Sequence, residues 1–102
     1  MNKTQIACEH FDLTPAIRDH VMKESENFEK ILNHNEHLEY FLSPDGHHHE
    51  FKALVRTRFQ HRDLSASSVD RDLYKAVTLA ARKLHAEILK TNKKHKEIRK
   101  RG

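Results

Sequence analysis

The chain has 102 residues, 36% apolar and 33% charged, which bounds it to one domain with a thin core. Its single cysteine, Cys8, forms no internal disulfide, so a stapled secreted scaffold is excluded and a reducing setting is expected. No apolar run approaches the roughly 20 residues that cross a bilayer and no apolar signal region follows Met1, so the expectation is a cytoplasmic protein with no membrane partner.

The formal net charge of +4 conceals an asymmetry. Residues 1–50 carry four Lys+Arg against ten Asp+Glu, a net of −6, whereas residues 51–102 carry fifteen against five, a net of +10. A solubility device mixes the signs along the chain; a one-sided field is the footprint of a polyanion partner.

In chain order, Thr4, Ile6 and Cys8 alternate with Gln5 and Ala7, the period of a half-buried strand, which predicts strand one over Lys3 to His10. Thr14-Pro15 is a helix start, because the threonine hydroxyl accepts from an orphan N–H and proline fits the first helical position. Ile17, Val21, Ser25, Phe28, Ile31 and Leu32 follow at helical spacing, so helix one is expected to reach about Leu32. Asn33 to Glu36 breaks the pattern, with Asn33 or Asn35 as candidate left-handed caps.

His37 to Ser43 presents Leu38, Tyr40 and Leu42 on one side and predicts strand two. Pro44-Asp45-Gly46 signals a turn, since proline presets its first angle and glycine accepts a positive φ. The return strand, about His49 to Phe59, places Phe51, Ala53, Val55 and Phe59 on one face and Lys52, Leu54, Arg56 and Arg58 on the other. Gln60 to Asp63 reads as a polar turn. Leu64, Ala66 and Ser68 mark strand four, and Ser68 or Asp70 is the expected cap of the final helix. The order is β-α-β-β-β-α, an α+β fold with strands two to four as an antiparallel meander and both helices on one face of a four-stranded sheet. Residues 1–96 are expected to form the single domain and 97–102 a basic, flexible tail.

The final helix, Asp72 to Lys96, is the most informative stretch. Leu73, Val77, Ala80, Ala81, Leu84 and Ile88 share one side, while Lys75, Arg82, Lys83, Lys90, Lys93 and Lys94 share the other, with Lys96 at its edge and Arg99, Lys100 and Arg101 beyond. A lysine-rich helix face is ordinarily only solvated. Here acids are scarce after Asp72, with only Glu87 and Glu97, and the bases run the whole length. Lysines and arginines at roughly one-turn spacing can follow an RNA backbone without reading sequence. Lys83, Lys90 and Lys94, seven and eleven apart, form the expected centre of that surface, which Lys52, Arg56 and Arg58 extend if their sheet face adjoins it. Tyr74, near the helix start, is either a base-stacking residue or partly core.

Ten histidines include His47, His48 and His49 in a row beside the turn. Consecutive residues on an extended strand point to alternate faces and do not converge on one ion, so no metal or other cofactor is expected. Cys8, His10 and Asp12 invite comparison with a nucleophile, base and orienter. Alternate positions on a regular strand are about 6 to 7 Å apart, beyond hydrogen-bond reach. With no Gly-rich phosphate loop and no converging carboxylate pair, catalysis is not expected.

Two stretches carry a family resemblance. FDLTPAIRDHVMK, Phe11 to Lys23, and SASSVDRDLYKAV, Ser65 to Val77, together with Lys83-Leu84, Leu89-Lys90 and the spaced lysines Lys93, Lys94 and Lys96, resemble the bacterial ribosome hibernation promoting factors. These short ribosome-associated inhibitors are also described as sigma-modulation proteins. The resemblance covers nearly the whole chain. It implies the same β-α-β-β-β-α sandwich, similar to double-stranded-RNA-binding domains, and no enzymatic activity. It further implies binding to rRNA of the small ribosomal subunit near the decoding region, blocking translation in stationary or stressed cells. The chain departs from the family at Thr78, where an acidic residue is usual, and at Glu24, Glu26 and Asn27, where relatives tend to place lysines. Because no second domain follows Gly102, a free monomer is expected, and ribosome pairing would take a second factor. The competing readings are a general RNA-binding module or RNA chaperone, and a charge-driven protein-interaction module.

Overall fold

Period-two alternation becomes a four-stranded sheet, and period-3.6 alternation two helices laid on one of its faces. The computed structural model describes residues 3–33, 35–46 and 49–101, with no account of the side chains of 92–101. The elements are β1 (Thr4–Cys8), α1 (Pro15–Ser25), β2 (Leu38–Asp45), β3 (Glu50–Phe59), β4 (Arg62–Asp70) and α2 (Leu73–Arg101). The strands lie in the order β1-β2-β3-β4. β1 runs parallel to β2, which requires the α1 crossover, and the other pairs are antiparallel.

Each strand sends alternate residues into one core. Leu38, Tyr40 and Leu42 of β2 and Ala53, Val55 and Phe59 of β3 are buried against Ile17 and Val21 of α1 and Ala76, Val77, Ala80, Ala81, Leu84 and Ile88 of α2. Burying a leucine or isoleucine of this set contributes about 1.5–3 kcal/mol. The opposite sheet face carries Lys52, Leu54, Arg56 and Arg58, as the alternation predicts, and no helix covers it.

Several local features differ from the sequence expectation. First, α1 ends at Ser25 rather than near Leu32, and a 3₁₀ turn, Glu26–Phe28, follows. Ser25 Oγ donates back to the Val21 carbonyl at 2.8 Å, a bond that competes with regular helix geometry, and Asn27 is a weak helix former. The tighter turn carries Phe28 into the core.

Second, among the described residues the left-handed ones are His10, His49, Gln60 and His61, not Asn33 or Asn35, and Gly46 has no positive φ. Asn33 Oδ1 instead accepts from Asn35 N at 3.3 Å, an Asx turn. Third, β2 continues through Pro44 to Asp45, paired with Phe51 and Glu50. Proline is tolerated there because β1 has already ended at Cys8, leaving β2 as an edge. Fourth, Asp72 caps α2: its Oδ1 accepts from Tyr74 N at 2.9 Å, while Asp70 Oδ1 accepts from Asp72 N at 2.8 Å. Thr14 caps α1 as expected, accepting from Ile17 N at 3.2 Å.

β4 starts at Arg62, so the β3–β4 turn is only Gln60-His61. Their φ values of 50° and 67° are those a two-residue hairpin demands, without the Asn-Gly that adopts them most easily. Replacing the pair, Gln60→Asn with His61→Gly, is expected to raise stability by about 0.5–1 kcal/mol, read as a higher urea midpoint with unchanged slope.

Tyr40 is fully buried, and its hydroxyl shares a 3.2 Å hydrogen bond with Ser25 Oγ. Burial pushes its pKa from 10.0 up to about 12, opposed by the Ser25 bond and reinforced by the Glu24 charge. The neutral phenol is favoured in the fold, so its contribution is complete below pH 10 and is lost as pH rises through about 12. Tyr40→Phe is expected to flatten the fall in stability between those two pH values, measured by denaturant titration across the alkaline range.

Candidate nucleic-acid interface

A helix packed on a sheet by one stripe must show the opposite stripe to solvent. Ala76, Val77, Ala80, Ala81, Leu84 and Ile88 occupy the buried side of α2, and the 100° step per residue places Lys75 and Arg82 directly opposite. Both are exposed. Lys83 and Lys90, also exposed, lie on the flank of α2 that faces β4. Lys83 Nζ donates to the Ser67 carbonyl at 3.1 Å, covering part of the β4 edge. The side chains of Lys93, Lys94 and Lys96 lie outside the described residues, although the backbone of α2 continues helical past Lys96 to Arg101. Of the expected line Lys83-Lys90-Lys94, the structure therefore describes the first two.

Lys52, Arg56 and Arg58 do not join this surface. They project from the open sheet face, with the edge strand β4 between them and the flank of α2. Two of them are engaged within the fold. Arg56 makes a bidentate pair with Glu39, both contacts 3.3 Å, and its guanidinium lies 4.9 Å from the centre of the Phe41 ring. Arg58 stands 4.0 Å from Asp63. Both pairs are solvent-exposed, worth at most about 1 kcal/mol each, yet they offset the positive charge offered to a partner. Among the described residues, Lys52, Lys75, Arg82 and Lys90 have no ion-pair partner.

α1 lies alongside α2, held by a polar clasp. His20 Nε2 is 2.9 Å from both the Tyr74 carbonyl and Thr78 Oγ1, and Thr78 Oγ1 donates to Glu24 Oε1 at 3.0 Å. The carbonyl only accepts and the Thr78 proton is committed to Glu24, so the hydrogen bonds assign the remaining proton to His20 Nε2. The rings of His20 and Tyr74 meet edge-to-face, 5.1 Å between centroids, leaving Tyr74 40% exposed. It is neither core nor free.

Further along the same helix pair, a cleft of about 340 Å³ opens beside Asn27, Arg82, His85 and Leu89. The periodicity, which continues helix one straight through Asn27 and Phe28, does not announce it. The spacing of Tyr74, Thr78, His85 and Leu89 along one flank of α2 was the available signal.

Among the described residues no hydrogen bond joins Cys8, His10 and Asp12. His10 Nε2 lies 3.8 Å from Glu9 Oε1, and burial, then the Asp12 charge, raises the Cys8 thiol pKa above its ordinary value, the reverse of an activated nucleophile. Among the described residues no three His, Cys, Asp or Glu side chains form a metal-holding group; His47 and His48 lie outside them. Among the same residues no helix is long and apolar enough to cross a membrane.

Residues 4–96 match the model of a single protein family, described as sigma 54 modulation protein / S30EA ribosomal protein. The chain belongs to this family. Solved structures share its fold. The Protein Y N-terminal domain of Thermus thermophilus is 24% identical with a TM-score of 0.73, over 86% of this chain and 96% of that one. A ribosomal subunit interface protein from Coxiella burnetii is 17% identical with a TM-score of 0.75, over 88% and 97%. No curated protein matches the chain. In this S30EA family member Thr78 and Glu24 bond to each other, so the carboxylate at this point of the helix pair comes from α1.

Thr78→Val removes the centre of the clasp and leaves Glu24 Oε1 and His20 Nε2 each one partner short. A loss of about 1–2 kcal/mol in urea denaturation is expected, with Thr78→Ser retaining most of the wild-type stability.

Proposed function

We propose that this chain is a ribosome hibernation factor that binds rRNA of the small ribosomal subunit near the decoding region and blocks translation in stationary or stressed cells. The observation that carries the reading is the family match over residues 4–96, and the charge pattern of α2 supplies its mechanism. Lys75 and Arg82 stand on one line of a rigid helix and Lys90 on its flank, all without acidic partners among the described residues. Lys93, Lys94 and Lys96 follow in the sequence. Each phosphate neutralised releases condensed counterions, which gives affinity without base reading and makes it fall steeply with salt.

The acidic half has a part in this. With −6 on residues 1–50 and +10 on residues 51–102, the bases are concentrated in β3, β4 and α2, and the field of these elements draws the protein to an RNA surface. Lys83 contributes charge at the flank while its ammonium stays near Ser67 O. Lys52, without an ion-pair partner among the described residues, adds a base on the far face, and Arg56 and Arg58 add less because Glu39 and Asp63 already hold them. Inhibition is by occupancy: the protein acts in the cytoplasm as a monomer, performs no catalysis, takes no cofactor, and depends on a second factor if ribosomes are to pair.

Co-sedimentation with ribosomes and separated subunits tests the reading. Wild type is expected in the small-subunit fraction, released progressively as salt rises, while a Lys83→Glu/Lys90→Glu variant stays at the top of the gradient. Protein that remains at the top at low salt yet still shifts free RNA on a gel would replace a ribosome-specific factor with a general RNA-binding module.

A further inference from the structure

We infer that the cleft between the end of α1 and the middle of α2 seats an unstacked nucleobase of the RNA strand whose phosphates α2 holds. This deepens the RNA-binding reading above and rests on it.

The cleft is built as a base slot rather than as a charge patch. One wall is apolar: His85 stands edge-to-face on the buried Phe28, centroids 5.5 Å apart at 68°, and Leu89, 45% exposed, stands at the mouth. Leu89 is otherwise an unexplained apolar side chain on a helix surface dominated by bases. The cleft, about 340 Å³, is ample for one nucleobase and open to solvent on one side. RNA recognition outside a duplex works through such parts, an apolar or aromatic plane for the ring face and polar groups for its edge.

The polar groups at the rim differ in what they read. Asn27 offers a donor and an acceptor from an exposed amide with no hydrogen-bond partner among the described residues. Glu24 Oε1 is committed to Thr78, while Oε2 has no partner among the described residues and is left to accept from a base edge. An acceptor carboxylate pairs with the exocyclic amino group of adenine, cytosine or guanine, whereas uracil offers it only the ring N3–H. Arg82, on the outer line of α2 and without an acidic partner among the described residues, borders the same cleft and is placed for the adjoining phosphate. A cation beside a flat apolar slot with an acidic edge fits a nucleotide; a simple anion site has no use for Leu89 or Glu24.

The test is an NMR titration of the full chain with octa-adenylate, octa-uridylate and a polyphosphate of matched charge. Octa-adenylate is expected to shift the Leu89 methyl and His85 ring protons, octa-uridylate to shift them less, and polyphosphate to move only the lysine and arginine signals of α2. Asn27→Ala, a change at an exposed position, is expected to weaken octa-adenylate binding about tenfold and leave the polyphosphate titration unaltered. Equal Leu89 shifts with polyphosphate, or RNA-induced shifts confined to the lysines, would overturn the base slot and leave the RNA-binding reading standing. No shift with any of the three ligands would overturn both.

Discussion

The buried stripe of α2 decides where the charges of that helix point. Ala76, Ala80 and Ala81 are buried together with Val77, Leu84 and Ile88 in the stripe by which α2 packs on β3, β4 and α1, and the small side chains let the helix lie close to its neighbours. A helix so seated has little freedom to roll. Lys75 and Arg82 are therefore held outward, and Lys83 and Lys90 are turned toward β4, by packing rather than by their own preferences. A larger residue in the seam would lift or rotate the helix and move the charged lines with it.

Polar contacts complete what the apolar seam begins. The His20-Thr78-Glu24 clasp fixes α1 beside α2 at one height, and the Ser25 bonds to Val21 and Tyr40 set where α1 stops. Because α1 stops there, the chain tightens, Phe28 turns inward beneath His85, and a cleft remains next to Arg82. One serine thus links the core phenol of Tyr40 to the shape of the outer surface. The open sheet face follows a different rule: its arginines are paired across strands, so its charge is largely balanced within the fold.

The layers of this fold were legible in the sequence because period-two and period-3.6 patterns are each enforced by burial on one side. The faces of β3 emerged with Lys52, Leu54, Arg56 and Arg58 outward, as alternation requires. Boundaries were harder where a local bond overrides the pattern. Ser25 ends α1 although Ile31 and Leu32 continue its spacing, and Gln60-His61 makes a two-residue turn with neither glycine nor asparagine to announce it. The bases of α2 were visible as a stripe, but their availability was not. That depends on register, which sets Glu39 directly opposite Arg56, and on the sheet edge, which draws Lys83 to Ser67.

The central claim, that α2 rather than the open sheet face meets rRNA, is tested most directly by hydroxyl-radical cleavage from a tethered iron chelate. On a Cys8→Ala background, the tether is placed in turn at Lys90→Cys and at Lys52→Cys, and small-subunit rRNA is read for strand breaks. Strong cleavage around the decoding region from the α2 position, with weak cleavage from the sheet position, is the predicted result. Strong cleavage from the sheet position with none from α2 would contradict the account.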